Sequence, residues 1–186
     1  MYIICGLGNP GKQYEDTRHN MGFKTMDVLS SRLGIKINKL KFKALIGEGY
    51  IGTEKIVLVK PQTFMNLSGE SLRPIMEFYK ESPDHLIVVY DDVDIGLGAL
   101  RIRPSGSSGS HNGMKSVIYH LQYDNFTRIR IGLGDHGIIP LDKFVIGKVP
   151  ESDAEILSKT INKAADAVIC IVEKNLDFAM QEYNHK

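Results

Sequence analysis

Histidine and aspartate are the side chains of this sequence best suited to activate water, and both occur in dense polar clusters. His19 lies near the end of Tyr14-Glu15-Asp16-Thr17-Arg18-His19-Asn20, just before a helical pattern begins. An imidazole at such a junction can face a cleft, and its pKa near working pH suits a general base. Taken alone, a single histidine there more often caps a helix or faces solvent. Asp91-Asp92-Val93-Asp94 follows a strongly apolar run. One of these carboxylates can accept the Nδ1–H of His19, which fixes the tautomer and stabilises imidazolium. The same oxygens suit Mg²⁺, and a solvated acidic turn is the plain alternative. The motif alone leaves all three open.

Three further clusters carry polar groups. Lys60-Pro61-Gln62-Thr63-Phe64-Met65-Asn66-Leu67-Ser68-Gly69 places Asn66, a neutral donor and acceptor, at a strand–helix junction. Phe64 and Met65 beside it read first as core. Gly106-Ser107-Ser108-Gly109-Ser110-His111-Asn112-Gly113 is a flexible loop entering a helix, a place where backbone amides bind anions. It departs from GxxxxGK[ST], so nucleoside triphosphate hydrolysis is unsupported; His111 reads as a second catalytic histidine or a loop histidine, the loop reading being favoured. Arg101, Arg103, Lys115, Arg128 and Arg130 surround this loop and, at alternate strand positions, can form a basic face for a nucleic-acid backbone. Gly6-Leu7-Gly8-Asn9-Pro10-Gly11 matches GxGxxG after a strand. A dinucleotide site fits it badly, because the helix should open inside the glycines, whereas here it begins near Asn20.

The elements that must position these groups follow from apolar spacing. Residues 2–7 and 86–90 are short apolar runs and read as buried strands. Phe23, Met26, Leu29 and Leu33 recur at three and four, closed by Gly34, and predict a helix over 20–33. Residues 45–50 and 55–60 flank a Gly-Thr-Glu turn and read as a hairpin. Helices are predicted over 67–79, with Pro74 inside, and over 112–121, and strands over 100–103 and 126–133. After a Gly- and Pro-containing loop, Ser152 is expected to cap a long helix whose core face is Ile156, Ile161, Ala164, Val168 and Val172. A last helical piece spans 176–183. Interleaved strands and helices predict an α/β fold: a single domain over 1–186, with a mixed twisted β-sheet flanked by helices on both faces. Sites in such sheets lie at the carboxyl ends of strands, where the clusters at 6–20, 61–66 and 91–94 all fall.

The chain has 186 residues, 42% hydrophobic and 24% charged, an ordinary folded composition. The start carries no signal-peptide pattern and no apolar run is long enough to cross a bilayer. Cys5 and Cys170 are isolated in apolar runs, and read as two buried thiols in a reducing cytoplasm. Net charge is only +1, but it is uneven. Residues 1–75 hold eleven Lys/Arg against six Asp/Glu, and residues 151–186 hold four against seven. A basic front and acidic tail suit a polyanion on one face, and an ordinary mixed surface accounts for them as well.

In order along the chain, the motifs at 6–11 with Tyr14 and Thr17-Arg18-His19-Asn20, at 60–69, at 91–94, at 110–113 and Arg128-Ile129-Arg130-Ile131-Gly132 resemble the bacterial type of peptidyl-tRNA hydrolase. The resemblance implies a monomeric, cytoplasmic esterase that needs no metal or dinucleotide cofactor. Its reaction is cleavage of the ester between a peptide, or another N-blocked aminoacyl group, and the 3′-terminal ribose of tRNA, at the acceptor end. It implies that His19 deprotonates water with Asp91 as its partner, and that Asn9 recognises the blocked amino end. It assigns Asn66 and Asn112 to the tRNA 3′ end and the attacking water, Tyr14 and Phe64 to the walls of the terminus site, and Arg103 and Arg130 to tRNA phosphate. Ser110 stands where many members have Gly and, being small, is expected to leave activity intact; Arg103 stands where lysine also occurs, keeping the charge but changing its geometry. A non-catalytic tRNA-binding relative is the alternative.

Overall fold

In the computed structural model, which describes residues 1–184, the chain forms a seven-stranded mixed sheet with helices on both faces. The strands are β1 (Tyr2–Gly6), β2 (Lys39–Lys41), β3 (Ala44–Ile51), β4 (Glu54–Pro61), β5 (Leu86–Asp92), β6 (Leu100–Arg103) and β7 (Thr127–Gly132). The helices are α1 (Met21–Leu33), α2 (Ser68–Tyr79), α3 (Asn112–Leu121), α4 (Leu141–Val145), α5 (Glu151–Glu173) and α6 (Leu176–Tyr183). The strand order is β2-β3-β4-β1-β5-β7-β6. The four central strands, β4, β1, β5 and β7, run parallel, and antiparallel pairs extend the sheet at both edges.

The continuous apolar runs are explained by burial on two sides. Ile4, Ile56, Leu58, Ile87 and Val89 face one core with α1 and α5, while Ile3, Cys5, Val57, Val59 and Val88 face the other with α2 and α3. A strand covered on both faces has no polar side to alternate with. All four parallel strands therefore deliver their carboxyl ends to one rim, and the polar clusters gather there.

Most predicted elements stand within a residue or two. Four details differ. The strand 86–90 continues through Asp91 and Asp92, because β7 pairs with both residues. The long helix starts at Glu151 with Pro150 in the N-cap position, and Ser152 lies inside its first turn. A proline needs no N–H there, and its fixed φ leads the chain into the helix. Ile156 is 41% exposed and the adjacent Leu157 is buried instead, whereas Ile161, Ala164 and Val168 face the core as predicted. Val172 is half-buried against the same core. Cys5 is buried, and its thiol is pushed far above the usual range, but Cys170 is only partly covered. Among the described residues no helix is long and apolar enough to cross a membrane.

Candidate active site

The site begins where β1 ends. After Gly6 the chain makes two short 3-10 turns, Lys12–Tyr14 and Arg18–Asn20, before α1 opens at Met21. The glycines at 6 and 22 serve packing. A Cβ on Gly22 would lie 2.4 Å from Leu7 N and Val89 O, and one on Gly6 only 2.2 Å from Gly22 O. Helix α1 thus rests directly on the ends of β1 and β5, which carries His19 over the end of β5. This contact accounts for the first glycine of the GxGxxG match without a dinucleotide.

There His19 Nδ1 meets Asp91 Oδ2 at 2.8 Å. Asp91 is 1% exposed and His19 8%. Burial works against ionisation of Asp91, but the facing His19 and His111 imidazoles hold its carboxyl well below the usual range. Burial also pulls the His19 pKa down, yet the charge and hydrogen bond of Asp91 outweigh it and raise it from the ordinary imidazole value. With Nδ1–H donated to the carboxylate, Nε2 is the ring nitrogen left with a lone pair.

Asp91 has a second histidine partner. His111 Nε2 lies 3.2 Å from Asp91 Oδ1, and the two imidazole centroids are 4.8 Å apart. The ligand atoms of His19, Asp91 and His111 all fall within 4.8 Å of one another, the donor set of a transition-metal site. Both carboxylate oxygens already accept from imidazoles, and His111 Nδ1 accepts from Met114 N at 3.2 Å. An ion at these facing atoms would have to displace both bonds to Asp91, so the three side chains fit each other better than an ion.

A wall of asparagines adjoins the pair. The Asn9 backbone N donates to Asn20 Oδ1 at 2.8 Å, and Asn20 Nδ2 donates back to Asn9 O at 3.0 Å. Asn9 Oδ1 accepts from Met65 N at 2.8 Å, which tethers the segment after β4 to the end of β1 and leaves the Asn9 amide NH₂ as its remaining donor group. At Phe64 the chain takes φ 63°, a costly conformation for an aromatic residue, as it leaves the strand. The exposed Phe64 ring meets Tyr14 edge-on at 6.3 Å. Asn66 and Asn112 are exposed at the starts of the segments leading into α2 and α3. These helices pack at close range, since a Cβ on Gly69 would lie 2.2 Å from Ser116 O, and Gly69 N donates to Ser116 Oγ at 2.9 Å.

On the other side, a cleft of about 760 Å³ runs from His19 and Asp91 along the 105–112 loop to Arg103, Lys115 and Arg130. The β6–β7 register sets Arg101 opposite Arg130 and Arg103 opposite Arg128, so four arginines share one sheet face. Only some are available to a ligand. Arg128 is 2% exposed and donates to Ser107 O at 3.0 Å and Asp124 O at 2.6 Å, so it anchors the loop and is not a surface charge. Arg130 pairs with Asp92 at 3.1 Å, and Arg103 is exposed. Helix α4 covers one end of the cleft and is pinned to the histidine turn. Arg18 lies 4.0 Å over the Phe144 ring and donates to Phe144 O at 3.1 Å.

Of the nine predicted site residues, His19 and Asp91 are in direct contact at the carboxyl rim of the sheet and Asn9, Tyr14, Phe64, Asn66 and Asn112 lie on segments beside it, whereas Arg130 and Arg103 sit back along the sheet, level with Tyr90 and Val88 of β5. His111, Asn20 and Arg128 were not among them. His111 and Asn20 are neighbours of residues that were singled out, but no spacing rule reports a contact made across 20 or 11 residues of chain.

An open α/β sheet with an imidazole–carboxylate pair and neutral amides at its parallel rim defines an enzyme site of the hydrolase kind. A family model described as peptidyl-tRNA hydrolase matches residues 3–186. A peptidyl-tRNA hydrolase of Alkaliphilus metalliredigens is 55% identical over 184 residues, covering 99% of this chain and 100% of that one. The namesake from Finegoldia magna is 48% identical over 186 residues, covering 100% and 98%. The crystal structure of peptidyl-tRNA hydrolase from Acinetobacter baumannii superposes with a TM-score of 0.94 at 34% identity, covering 99% and 94% of the two chains. The chain belongs to the peptidyl-tRNA hydrolase family of enzymes.

Proposed function

We propose that this protein hydrolyses the ester between a peptide, or another N-blocked aminoacyl group, and the 3′-terminal ribose of tRNA, and that it acts as a cytoplasmic monomer on the acceptor end. The observation that carries this reading is the 2.8 Å bond between His19 Nδ1 and the buried Asp91, which leaves Nε2 as base. Water gives a proton to His19 Nε2 and adds to the ester carbonyl. Asp91 stabilises the imidazolium that forms. The tetrahedral oxyanion takes hydrogen bonds from neutral amides, for which the exposed Asn66 and Asn112 are candidates. As the intermediate collapses, the ribose oxygen leaves with the proton from His19. The products are tRNA with a free terminal hydroxyl and a peptide carboxylate.

Asn9, with its Oδ1 engaged by Met65 N, offers Nδ2 to the carbonyl of the blocking amide. Tyr14 and Phe64 supply aromatic faces on which a terminal base stacks. Arg103 and Arg130 dock phosphates without reading sequence. The test is release of free tRNA from N-acetyl-aminoacyl-tRNA, beside unblocked aminoacyl-tRNA and with EDTA present. Release from the blocked substrate alone, unaffected by EDTA, is expected. Binding of tRNA with no release would replace this reading with that of a non-catalytic tRNA-binding relative.

A further inference from the structure

We propose that His111 is a positioning residue for this reaction: its Nε2–H clamps the second oxygen of Asp91, so that one carboxylate is held between two imidazoles and only His19 keeps a ring nitrogen for water. The inference rests on the base role proposed for His19.

The argument starts from the tautomer. His111 stands at the N-cap of α3 and its Nδ1 accepts from Met114 N at 3.2 Å. A ring nitrogen that accepts carries no proton, so the neutral ring holds its proton on Nε2. That is the nitrogen 3.2 Å from Asp91 Oδ1. The helix end therefore dictates which nitrogen donates to the carboxylate. The ring cannot turn away, because its side chain is 8% exposed and the Tyr90 ring packs against it at 4.9 Å.

The consequence for Asp91 is geometric. A carboxylate held by one donor can rotate about its Cβ–Cγ bond. Held on Oδ2 by His19 and on Oδ1 by His111, it is fixed in plane, and the His19 ring is fixed with it. His111 itself is engaged at both nitrogens and has no lone pair for water. The two histidines are thus chemically unequal, although each touches the same carboxylate.

The consequence for proton affinity has a definite sign. A second donor stabilises the Asp91 charge and weakens its pull on the His19 proton. Loss of that donor leaves Asp91 more basic and His19 harder to deprotonate. The other ionisable groups lining this cleft are Tyr90, Asp92 and Asp94 at β5 and just after it, Arg103, Arg128 and Arg130 on β6 and β7, Lys115 on α3 and Asp142 on α4. None of these donates to either oxygen of Asp91 among the bonds described.

The test compares His111→Leu and His111→Gln with the wild type, in the pH profile of kcat/KM and in NMR titration of the His19 ring. Leu removes the donor. Gln places an amide nitrogen where the imidazole Nε2 lies. With Leu, the acidic limb and the His19 titration are expected to move to higher pH, and the plateau to fall about tenfold, the size of one charge-assisted hydrogen bond. With Gln, limb and plateau are expected to stay near wild type. A His111→Leu protein that folds and keeps the wild-type limb and plateau overturns the proposal. So does a Gln variant that behaves like Leu, since packing alone would then explain the residue. Ring ¹⁵N shifts of the wild type give an answer even if Leu fails to fold: the proposal requires the Nε2–H tautomer at His111, and Nδ1–H would sink it. If the wild type shows no turnover, the base role fails, while the titration still reports whether the two histidines are coupled through Asp91.

Discussion

At the scale of single residues, the site is governed by one buried charge. Asp91 is ionised in a place that penalises ionisation, and it persists because two imidazoles face it. Replacing His19 with Ala removes the base but leaves a small side chain at a helix entrance. Turnover is expected to fall by about 10³-fold, within the usual range for a general base, with the fold and tRNA affinity retained and the melting temperature lowered, because Asp91 loses one of its two partners. Unchanged turnover would end the mechanism proposed above. Asp91→Asn tests the other half. An amide can still accept one hydrogen bond but carries no charge, so the His19 pKa is expected to drop and the acidic limb of kcat/KM to move to lower pH. The plateau should fall by about 10⁴-fold as the tautomer is lost, as in other histidine–aspartate pairs. A limb that stays in place would mean that Asp91 does not set the basicity of His19. Stability is linked to the same shifts. The His19 value is raised, so its contribution is complete below about 6.5 and is lost as pH rises through the folded value. The Asp91 value is lowered, so its contribution is present above about 3.9 and is lost as pH falls through the folded value. The pair therefore stabilises the fold most in mildly acidic solution, while a neutral His19, and with it turnover, requires higher pH. Thermal melting and kcat/KM, measured across the same pH series, should have separate optima in that order.

At the scale of elements, close helix–strand contacts convert a fold into a site. Helix α1 sits where a Cβ on Gly22 would collide with backbone atoms of Leu7 and Val89. Neither atom belongs to a flexible side-chain end, so Gly22→Ala must move the helix. It should destabilise the protein by about 1–3 kcal/mol, as overpacking of a tight core does. It should also slow turnover, because His19 rides on the same helix entrance. Denaturant unfolding beside kcat measures both, and an unaltered kcat would mean the helix shifts without carrying the histidine. The same contacts explain what was legible in the sequence. Apolar runs announced β1 and β5, and three–four spacing with Gly34 announced α1, because burial leaves a periodic record. Two short elements left none. Strand β2 is the largely exposed triplet Lys39-Leu40-Lys41, and α4 is five residues long, both too short for a period to register. Ser152 resembles a cap by type, yet Pro150 two residues earlier occupies that place. The partners of Asp91 were legible only in part. His19 was legible through its polar cluster, whereas His111, read first as a loop histidine, is tied to Asp91 only when β5 and α3 are placed side by side.

At the scale of the whole molecule, the question is how a chain with net charge +1 attracts a polyanion. The basic excess of the first 75 residues is answered only in part within the fold. Lys24, Lys43 and Lys60 pair with Asp16, Glu70 and Asp27 of the same segment, and only Arg32 and Arg73 reach acids beyond it, Asp166 and Glu77. The β6–β7 edge lines up four arginines on one face, of which Arg103, Arg128 and Arg130 line the cleft beside His19 and Asp91. Arg128 is consumed in holding the loop, and Arg130 is shared with Asp92, which leaves a short basic patch that acts at close range. Such a patch gives affinity without sequence preference, and salt weakens it. Rising salt should increase KM for blocked aminoacyl-tRNA far more than it lowers kcat. Arg103→Ala and Arg130→Ala should each raise KM and reduce the slope of log KM against log salt by about one, the signature of one lost phosphate contact. Arg128→Ala should behave otherwise: the loop it anchors borders His111, so kcat and stability should fall while the salt slope stays as in the wild type. If Arg103→Ala and Arg130→Ala instead lower kcat alone, with the slope unchanged, the basic edge shapes the site without docking the tRNA, and the polyanion must be held elsewhere on the surface.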